Sequence, residues 1–469
     1  MPRSVTGARS RTGAVPAGAP YEPVAVVDMD LARPYEFRAP GGDGPIHPRG
    51  PVLALVRLRG HPLGLLAASG DPARRAGPSA LWRCMADTAR RRFATPLALS
   101  PALGEQAGPP RADCRATCPL APPDLASHDD RGTRATRSPH PRGRSAPRPA
   151  CPPPVSVIVA THNRPDMLRQ CLNSLLRLDY PSFEVIVVDN APTDDAAERL
   201  VLDQYKGRVR YLREPVAGLA HAHNRGLANA RGSIAAFTDD DTLVDSRWLS
   251  AIAESFAQGP GVSCVTGLIV PAELRTEAQA ALEHHGGFAK GFTPRRWSLH
   301  ERQDDPLFPF TAGRFGSGAN MAFRVASLRA LGGFDPATGT GTPAHGGDDL
   351  LAFFRVLAAG DTLAYQPDAV VWHRHRRTPD AVDAQAFGYG AGLGAYLTGA
   401  LIHEPRMIPG LLVRLPRGIR YALRRARDHG SAGTEGSRRR ALLELRGLLY
   451  GPYGYLRGRR LYRAGSGRA

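Results

Sequence analysis

The chain has 469 residues and a formal net charge of +18 at pH 7, with 61 Lys and Arg against 43 Asp and Glu. This length exceeds what one hydrophobic core usually organises, so two or more domains are expected. The positive charge indicates an anionic partner, although an excess of Arg, Ala, Gly and Pro is also typical of a GC-rich genome. No stretch reaches the roughly 20 apolar residues of a transmembrane helix, and the basic N-terminus lacks the apolar stretch of a signal peptide.

The cysteines show no spacing typical of a disulfide framework; they are Cys84, Cys114, Cys118, Cys151, Cys171 and Cys264. Cys114 and Cys118 form a lone pair without the second pair that a zinc site requires. A reducing, cytoplasmic setting is therefore expected.

The first part of the chain divides into three segments. Residues 1–20 are rich in Gly, Ala, Pro and Arg and are predicted to be disordered. Residues 21–98 have the pattern of a small α+β domain, with strands at 24–27 and 52–58, a hairpin over 52–66 and a helix near 79–93. No catalytic pattern is visible in this domain. Residues 99–153 have the Pro-rich and Arg-rich composition of a disordered basic linker.

From Val155 onward, apolar runs typical of buried strands alternate with stretches at helical spacing. Strands are predicted at 155–160, 183–188, 209–212 and 233–237, with helices at 165–176, 196–204 and 218–229. This alternation predicts an α/β domain with a mostly parallel sheet and helices on both faces. Ligands of such sheets bind beyond the carboxyl ends of the strands.

Polar residues stand at three of those predicted strand ends: Thr161, His162, Asn163 and Arg164; Asp189 and Asn190; and Asp239, Asp240 and Asp241. Three adjacent carboxylates repel one another, and the nearest basic residues in the sequence are Arg231 and Arg247. A divalent cation, Mg²⁺ or Mn²⁺, is the simplest compensation and would hold a diphosphate. The alternative is a solvated acidic turn that helps to cap a helix near Asp245. The convergence of polar strand ends favours the cation.

A larger set of motifs resembles the inverting glycosyltransferases of family 2, which have the GT-A fold. In order, the matching segments are 155–164, 187–190, 218–226, 237–241, 316–324, 332–335, 346–351 and 371–375. Each segment alone is a weak signal, and their order and spacing make the resemblance specific. It covers residues 154–377, and the domain is placed at 154–380.

The resemblance implies roles for these residues. Thr161 to Arg164 and Asp189 would hold the nucleotide, while Asp239 and Asp241, on either side of Asp240, match the DxD motif that contacts ribose and metal-bound diphosphate. Asp348 and Asp349 match a later acidic pair whose second member is the catalytic base. The base is therefore assigned to Asp349, the second member. Because this chain has Asp348 where the family usually has Glu, Asp348 is kept as the alternative.

Further residues are assigned to the same site. The resemblance and the chemistry of a leaving diphosphate assign substrate contacts to Asn190, Asn224, Gly318, Asn320 and Arg374. His373 is a candidate metal ligand, with packing as the alternative. His223 departs from the family pattern, which often has Arg before Asn224. Trp297 and Trp372 either line the acceptor side or belong to the core.

Residues 381–469 form a predicted basic, helical C-terminal region. The stretch 387–397 is interrupted by glycines and is too short to span a bilayer. The stretches 411–425 and 437–462 mix apolar and basic residues, as do helices that lie on membrane surfaces. The alternative is a set of helices packed on the catalytic domain with arginines in solvent.

The combined interpretation is a metal-dependent inverting glycosyltransferase that acts in cell-envelope polysaccharide or glycolipid synthesis. Its expected partners are a nucleotide-diphosphate sugar, a lipid-linked acceptor and an anionic membrane surface on the cytoplasmic side. One alternative is a nucleotidyltransferase, which the missing glycine-rich phosphate loop disfavours. Another is a non-catalytic nucleotide-sugar or membrane-binding scaffold, which would not need both acidic sites. Nucleic acid is not expected, because the basic linker lacks interleaved aromatic residues.

Overall fold

The structure is a computed structural model. It describes residues 21–42, 44–68, 78–93, 152–284, 287–414, 416–418, 420 and 435–466. The predicted disordered segment 1–20 and nearly all of the predicted linker 99–153 lie outside the described residues.

A three-stranded sheet forms near the N-terminus from β1 (Ala25–Asp30), β2 (Val52–Leu58) and β3 (His61–Ala68). The strand β2 pairs in parallel with β1 and forms an antiparallel hairpin with β3, as predicted for 52–66. Its tight turn is made by Arg59 and Gly60, both with positive φ. One face of the sheet packs on α1 (Pro78–Arg92).

The other face of this small sheet packs on the larger domain. Leu53 and Leu55 share an apolar cluster with Leu243 and Trp372. The buried guanidinium of Arg57 lies 2.8 Å from Asp28 and 2.8 Å from Asp245, so one ion-paired arginine joins the two units. The N-terminal sheet thus supports the strands that carry the acidic turn from behind.

The large sheet contains β4 to β12 in the order β10-β12-β9-β11-β7-β4-β5-β6, with β8 paired to β12. Its strands are β4 (Val155–Thr161), β5 (Phe183–Asn190), β6 (Val209–Glu214), β7 (Ile234–Asp239), β8 (Thr242–Val244), β9 (Val262–Pro271), β10 (Arg295–Trp297), β11 (Met321–Arg324) and β12 (Thr362–His373). Its helices are α2 (Pro165–Leu175), α3 (Ala196–Gln204), α4 (Leu219–Asn229), α5 (Trp248–Ala257), α6 (Glu277–His284), α7 (Val325–Ala330) and α8 (Asp348–Ala358). The strands β4, β5, β6 and β7 pair in parallel, as do β9 and β12, and apolar clusters lie on both faces, which agrees with the predicted mostly parallel sheet between helices.

The register of the sheet sets the position of the polar strand ends. Thr161 pairs with Asp189, and Ala160 pairs with Asp239, so the ends of β4, β5 and β7 lie side by side. Because β8 returns antiparallel along β12, His373 pairs with Thr242. This long-range pairing brings the end of β12 to the acidic turn.

Two long helices complete the C-terminal region: α9 (Pro379–His403) and α10 (Glu435–Ser466). The expectation that glycines interrupt 387–397 is wrong, because this stretch lies inside the continuous helix α9. Its glycines instead allow α10 to approach closely: a Cβ on Gly394 would lie 2.4 Å from the carbonyl oxygen of Leu448. Among the helices that the structure describes, none has the length and hydropathy needed to cross a membrane.

The cysteines correct a second expectation. Cys84 on α1 is disulfide-bonded, although the spacing of the cysteines is not typical of a disulfide framework. Cys171 and Cys264 are buried free thiols. The cysteine pattern therefore no longer supports the inference of a reducing compartment.

Candidate active site

The acidic turn is rigidly placed between β7 and β8. The hydroxyl of Thr238 donates to the carbonyl oxygen of Ala319 at 2.8 Å, and that of Thr242 donates to the carbonyl oxygen of Asp239 at 2.8 Å. Asp240 and Asp241 are buried, and Asp239 is half-buried. The turn does not cap α5; Asp245 instead accepts the Arg247 amide at 3.0 Å. The solvated capping turn is therefore not what the structure contains.

Basic groups from distant parts of the chain face the acidic turn. Arg164 lies 3.4 Å from both Asp240 and Asp241, and Arg376 lies 3.9 Å from Asp241. The hydroxyl of Thr161 donates to Asp240 at 2.8 Å. The sequence neighbour Arg231 is elsewhere, with its amide bonded to Glu184. The protein thus supplies part of the compensating charge itself.

The compensation is uneven across the three carboxyl groups. Burial, followed by the charge of Asp241, raises the pKa of Asp239 to about 7. The same two causes raise the pKa of Asp240 to about 6. Burial opposes ionisation of Asp241 as well, but His373, Arg376 and Arg164 together outweigh it and lower the pKa of Asp241 to about 2. A cation would favour the ionised form of Asp239, which nearby groups leave poorly compensated.

Three groups converge as candidate metal ligands. Asp239, Asp241 and His373 each offer one donor atom, and these atoms lie within 4.8 Å of one another. The Oδ1 atom of Asp241 is buried without a hydrogen-bond partner, and His373 Nε2 lies 3.3 Å from it. Two carboxylates and an imidazole are suitable ligands for Mn²⁺, and they can also bind Mg²⁺. The residues present therefore fit the predicted divalent cation.

A hydrogen-bonded chain of polar side chains leads from His373 away from the acidic turn. Its Nδ1 atom lies 3.1 Å from Nδ1 of His375, and Nε2 of His375 lies 2.5 Å from Glu283 on α6. If Nε2 of His373 faces a cation, Nδ1 carries the proton and donates it to His375, which in turn donates to Glu283. Glu283 would thereby fix the tautomer that a metal ligand needs.

The ends of β4 and β5 form a second part of the site. Asp189 is buried; its Oδ2 atom accepts the Tyr211 hydroxyl at 2.9 Å, while its Oδ1 atom has no partner. Burial raises the pKa of Asp189. His162 Nδ1 lies 2.7 Å from the carbonyl oxygen of Asn190, and Asn163 accepts the Thr193 amide at 3.0 Å. An unpartnered carboxylate oxygen beside an ordered loop is suited to accept N–H or O–H donors of a nucleoside.

The later acidic pair begins α8. Asp349 is half-buried and accepts backbone amides from Gly318 at 2.8 Å and from Leu350 at 2.7 Å. Burial and the neighbouring Asp348 raise the pKa of Asp349 to about 6. Asp348 is buried and lies 3.3 Å from Nδ1 of His223. The two carboxyl groups therefore differ in access: Asp349 is the more exposed member.

Several residues assigned to the substrate make hydrogen bonds within the protein. Asn320 is fully buried, and its amide bonds Trp248, Leu268 and Ala369, which leaves nothing for a ligand. The Asn224 amide makes a reciprocal pair of 2.8 Å bonds with the backbone of Phe334.

Asn190 and Arg374, which were also assigned to the substrate, bond to protein groups as well. The amide of Asn190 bonds the backbone of Val216 and Gly218, which shapes the loop before α4. The side chain of Arg374 turns toward α2, where it donates to Gln170. Both tryptophans offered for the acceptor side, Trp297 and Trp372, are buried in apolar clusters.

The structure also adds residues that the sequence did not single out. Arg376, two positions after Arg374, faces Asp241 as described above. Tyr389 on α9 is 43% exposed, lies 6.3 Å from the ring of Phe288, and is within electrostatic reach of both Asp241 and Asp349. The sequence offered one signal for Arg376, which directly follows the 371–375 motif. It offered none for Tyr389. Tyr389 reaches the site through tertiary packing of α9.

Comparison with known proteins finds similarity to one family over part of the chain. The sequence profile described as Glycosyl transferase family 2 matches residues 156–332. The pre-mycofactocin glycosyltransferase of Mycobacterium tuberculosis is 29% identical over 276 residues, which cover 58% of this chain and 52% of the relative. The glycosyltransferase AglE of Haloferax volcanii is 33% identical over 119 residues, 24% of this chain and 39% of the relative. The chain thus spans about half the length of the first relative.

Solved structures show a distant likeness. A mannosyltransferase of Pyrobaculum calidifontis, solved with GDP-Man and Mn²⁺, is 22% identical with a TM-score of 0.38, covering 66% of this chain and 89% of that chain. GalNAc-T7, solved with UDP, GalNAc and Mn²⁺, is 16% identical with a TM-score of 0.37, covering 51% of this chain and 50% of that chain.

Proposed function

Because residues 156–332 match the glycosyltransferase family 2 profile, we propose that the chain transfers a sugar from a nucleotide-diphosphate donor to an acceptor hydroxyl with inversion. The observation that carries the proposal is the presence of two separate acidic sites in the same domain. One contains Asp239, Asp241 and His373 as candidate metal ligands. The other holds Asp349 on backbone amides with a pKa of about 6.

The two sites would divide the chemistry. A divalent cation held by Asp239, Asp241 and His373 would offset the charge that develops on the leaving diphosphate. Arg164 and Arg376 face the same turn and are positioned to add positive charge there. Asp189, with its free buried oxygen, would bind the nucleoside.

Asp349 would remove the proton of the acceptor hydroxyl as that oxygen attacks the anomeric carbon from the face opposite the diphosphate. A pKa of about 6 leaves this carboxyl ionised at pH 7, yet basic enough to take a proton. The amides of Gly318 and Leu350 hold both of its oxygens in place. Asp348 is the weaker candidate, because it is buried beside His223.

The acceptor and the cellular role are further parts of the proposal. We place the activity in cell-envelope polysaccharide or glycolipid synthesis, with a lipid-linked acceptor at the cytoplasmic face of the membrane. The basic C-terminal region, with eight arginines in α10, supports attachment to such a surface.

A donor screen tests the function. UDP-, GDP- and TDP-sugars are incubated with the full chain, with Mn²⁺ or with EDTA, and release of nucleotide diphosphate and thermal stabilisation are measured. We expect one donor to be hydrolysed slowly and to stabilise the protein only with the cation. Binding without any turnover would favour the non-catalytic scaffold. Release of pyrophosphate from a nucleoside triphosphate and a sugar phosphate would favour the nucleotidyltransferase.

A further inference from the structure

The helix α10 has two unlike faces, and its inner face is made for close packing. A Cβ on Gly447 would lie 2.2 Å from the carbonyl oxygen of Phe387, and one on Gly451 would lie 2.5 Å from that of Ala391. On the same side, the buried Tyr455 donates its hydroxyl to Asp335 at 2.7 Å. These contacts fix α10 on α9 in one rotational setting, so the identity of its outward residues is set as well.

The outer face of α10 presents a continuous apolar stripe. Its members are Leu442, Leu445, Leu449, Tyr453 and Leu456, with exposed fractions of 62, 52, 75, 58 and 45%. Their spacing of three or four residues places them along one side of the helix. Five large apolar side chains in an exposed row are a typical sign of an interaction surface.

Arginines border this stripe. The helix contains eight arginines and only two acidic residues, Glu435 and Glu444. Arg446, Arg457 and Arg460 are exposed, and at about 100° per residue they lie on the same side as the leucines. By the same rotation Glu444 lies on the opposite side, and its carbonyl oxygen faces Gly390 of α9. The outer face is therefore apolar and cationic.

We propose that the outer face of α10 docks on an anionic lipid bilayer. Leucines at this spacing would enter the boundary between headgroups and acyl chains, while long arginine side chains would reach lipid phosphates. A second copy of the chain fits less well, because the same face would set arginines against arginines. The membrane surface deepens the proposed function without depending on it, since lipid binding is measurable without sugar transfer.

The position of α10 relates this surface to the acidic pair. Its inner side packs on the loop that leads into α8: a Cβ on Gly454 would lie 2.5 Å from the carbonyl oxygen of Pro343, and the ring of Tyr450 lies 5.9 Å from that of His345. A few residues later the chain reaches Asp348 and Asp349. A bilayer on the outer face would therefore lie about one helix diameter, ~10 Å, from this loop. That arrangement suits a lipid-linked acceptor.

Sedimentation with vesicles tests the proposal on the full chain. Vesicles of phosphatidylcholine alone are compared with vesicles that also contain phosphatidylglycerol, at low and at high salt. We expect sedimentation only with the anionic lipid, weakened by salt because screening acts on exposed charges. A protein that stays in the supernatant with anionic vesicles at low salt would overturn the proposal without any variant being made.

Matched variants locate the surface. Leu445→Glu/Leu449→Glu should lower the vesicle partition coefficient on the order of tenfold or more, while Leu202→Glu, on α3 with 51% exposure, should not. Arg446→Gln/Arg457→Gln/Arg460→Gln should lower it about fivefold per arginine, and the exposed Arg208→Gln should have no comparable effect.

Folding and self-association are checked in parallel. Circular dichroism melting shows whether each variant is folded, and donor hydrolysis should persist in the Leu445→Glu/Leu449→Glu protein, which separates loss of membrane binding from loss of function. Folded variants that sediment like the wild type would overturn the proposal. A dimer in light scattering that Leu445→Glu/Leu449→Glu dissociates would assign the face to a second copy and also overturn it.

Discussion

The two acidic sites of this protein contain the same functional group in different electrostatic surroundings. At the turn after β7, Asp241 has His373, Arg164 and Arg376 within 4 Å, and its pKa is about 2. At the start of α8, Asp349 is held by two backbone amides beside another carboxyl group, and its pKa is about 6. Cationic surroundings keep a carboxylate ionised as a ligand for metal and phosphate. Burial beside a second carboxyl group makes it a proton acceptor near neutral pH.

The largest expected effect comes from removing the base. Asp349→Asn keeps the shape of the side chain but cannot accept the proton, so turnover should fall on the order of 10²-fold or more. Affinity for the nucleotide diphosphate should remain close to that of the wild type, because Asp349 is not part of the metal cluster. Steady-state kinetics and calorimetry measure the two quantities.

Two control variants sharpen this result. Asp203→Asn, an exposed position on α3, should leave both turnover and affinity unchanged. Asp348→Asn should cost much less than Asp349→Asn. If Asp348→Asn abolishes turnover and Asp349→Asn spares it, the assignment of the base must be exchanged between the two.

The second effect tests the metal ligands. Asp241→Asn removes a carboxylate that the cation would use, so Mn²⁺-dependent affinity for the nucleotide diphosphate should fall by at least the roughly 10- to 100-fold that is typical when a residue that only orients a ligand is lost. In the wild type, EDTA should produce a comparable loss. Equal binding of UDP, GDP or TDP with and without EDTA, together with an unaffected Asp241→Asn protein, would show that no metal is involved.

A smaller effect is expected from the hydrogen-bonded chain of polar side chains that leads from His373. Glu283→Gln weakens the acceptor that orients His375, and through it the imidazole of His373. Mn²⁺ affinity, measured by electron paramagnetic resonance without donor present, should fall about tenfold, at the low end for an outer-shell change. Glu277→Gln on the same helix is the control, since Glu277 is exposed. Equal losses in both variants would indicate a general effect on α6.

The smallest effect is a shift in pH dependence. Asp349 has a raised pKa, so kcat/KM should decline as the pH falls through about 6, where the base takes up a proton. Asp348→Asn removes the second cause of that raised pKa, while burial remains. The acidic limb of the profile should therefore move to lower pH but stay above the ordinary range of an aspartate. An unchanged limb would show that it reports another group.

The sequence predicted the parts of the site that depend on local order and strand direction. Polar residues after β4, β5 and β7 had to meet at one edge of a parallel sheet, and Thr161 and Asp189 are indeed neighbours in register. The strand–helix alternation also predicted the large sheet itself. The family resemblance added the acidic pair at α8, which no local pattern would have joined to the triplet.

Other features depended on tertiary contacts that a sequence does not display. Asn224 and Asn320 have the chemistry of ligand contacts, but their amides bond backbone groups from distant segments. Arg376 and Tyr389 reach the site through β12 and α9. The glycines of α9 have a low helix propensity and therefore suggested an interrupted helix. In the structure they lie within a continuous helix and permit the close approach of α10.

The most direct test of the proposed separation of a metal site from a base uses one variant and two titrations. Calorimetry of Asp349→Asn with the preferred nucleotide diphosphate is carried out with Mn²⁺ and again with EDTA. We expect Asp349→Asn to have lost turnover. Its affinity for the nucleotide diphosphate should be close to that of the wild type with Mn²⁺ and strongly weakened with EDTA. Metal-independent binding, or loss of affinity in the presence of Mn²⁺, would contradict the separation of a metal site from a base.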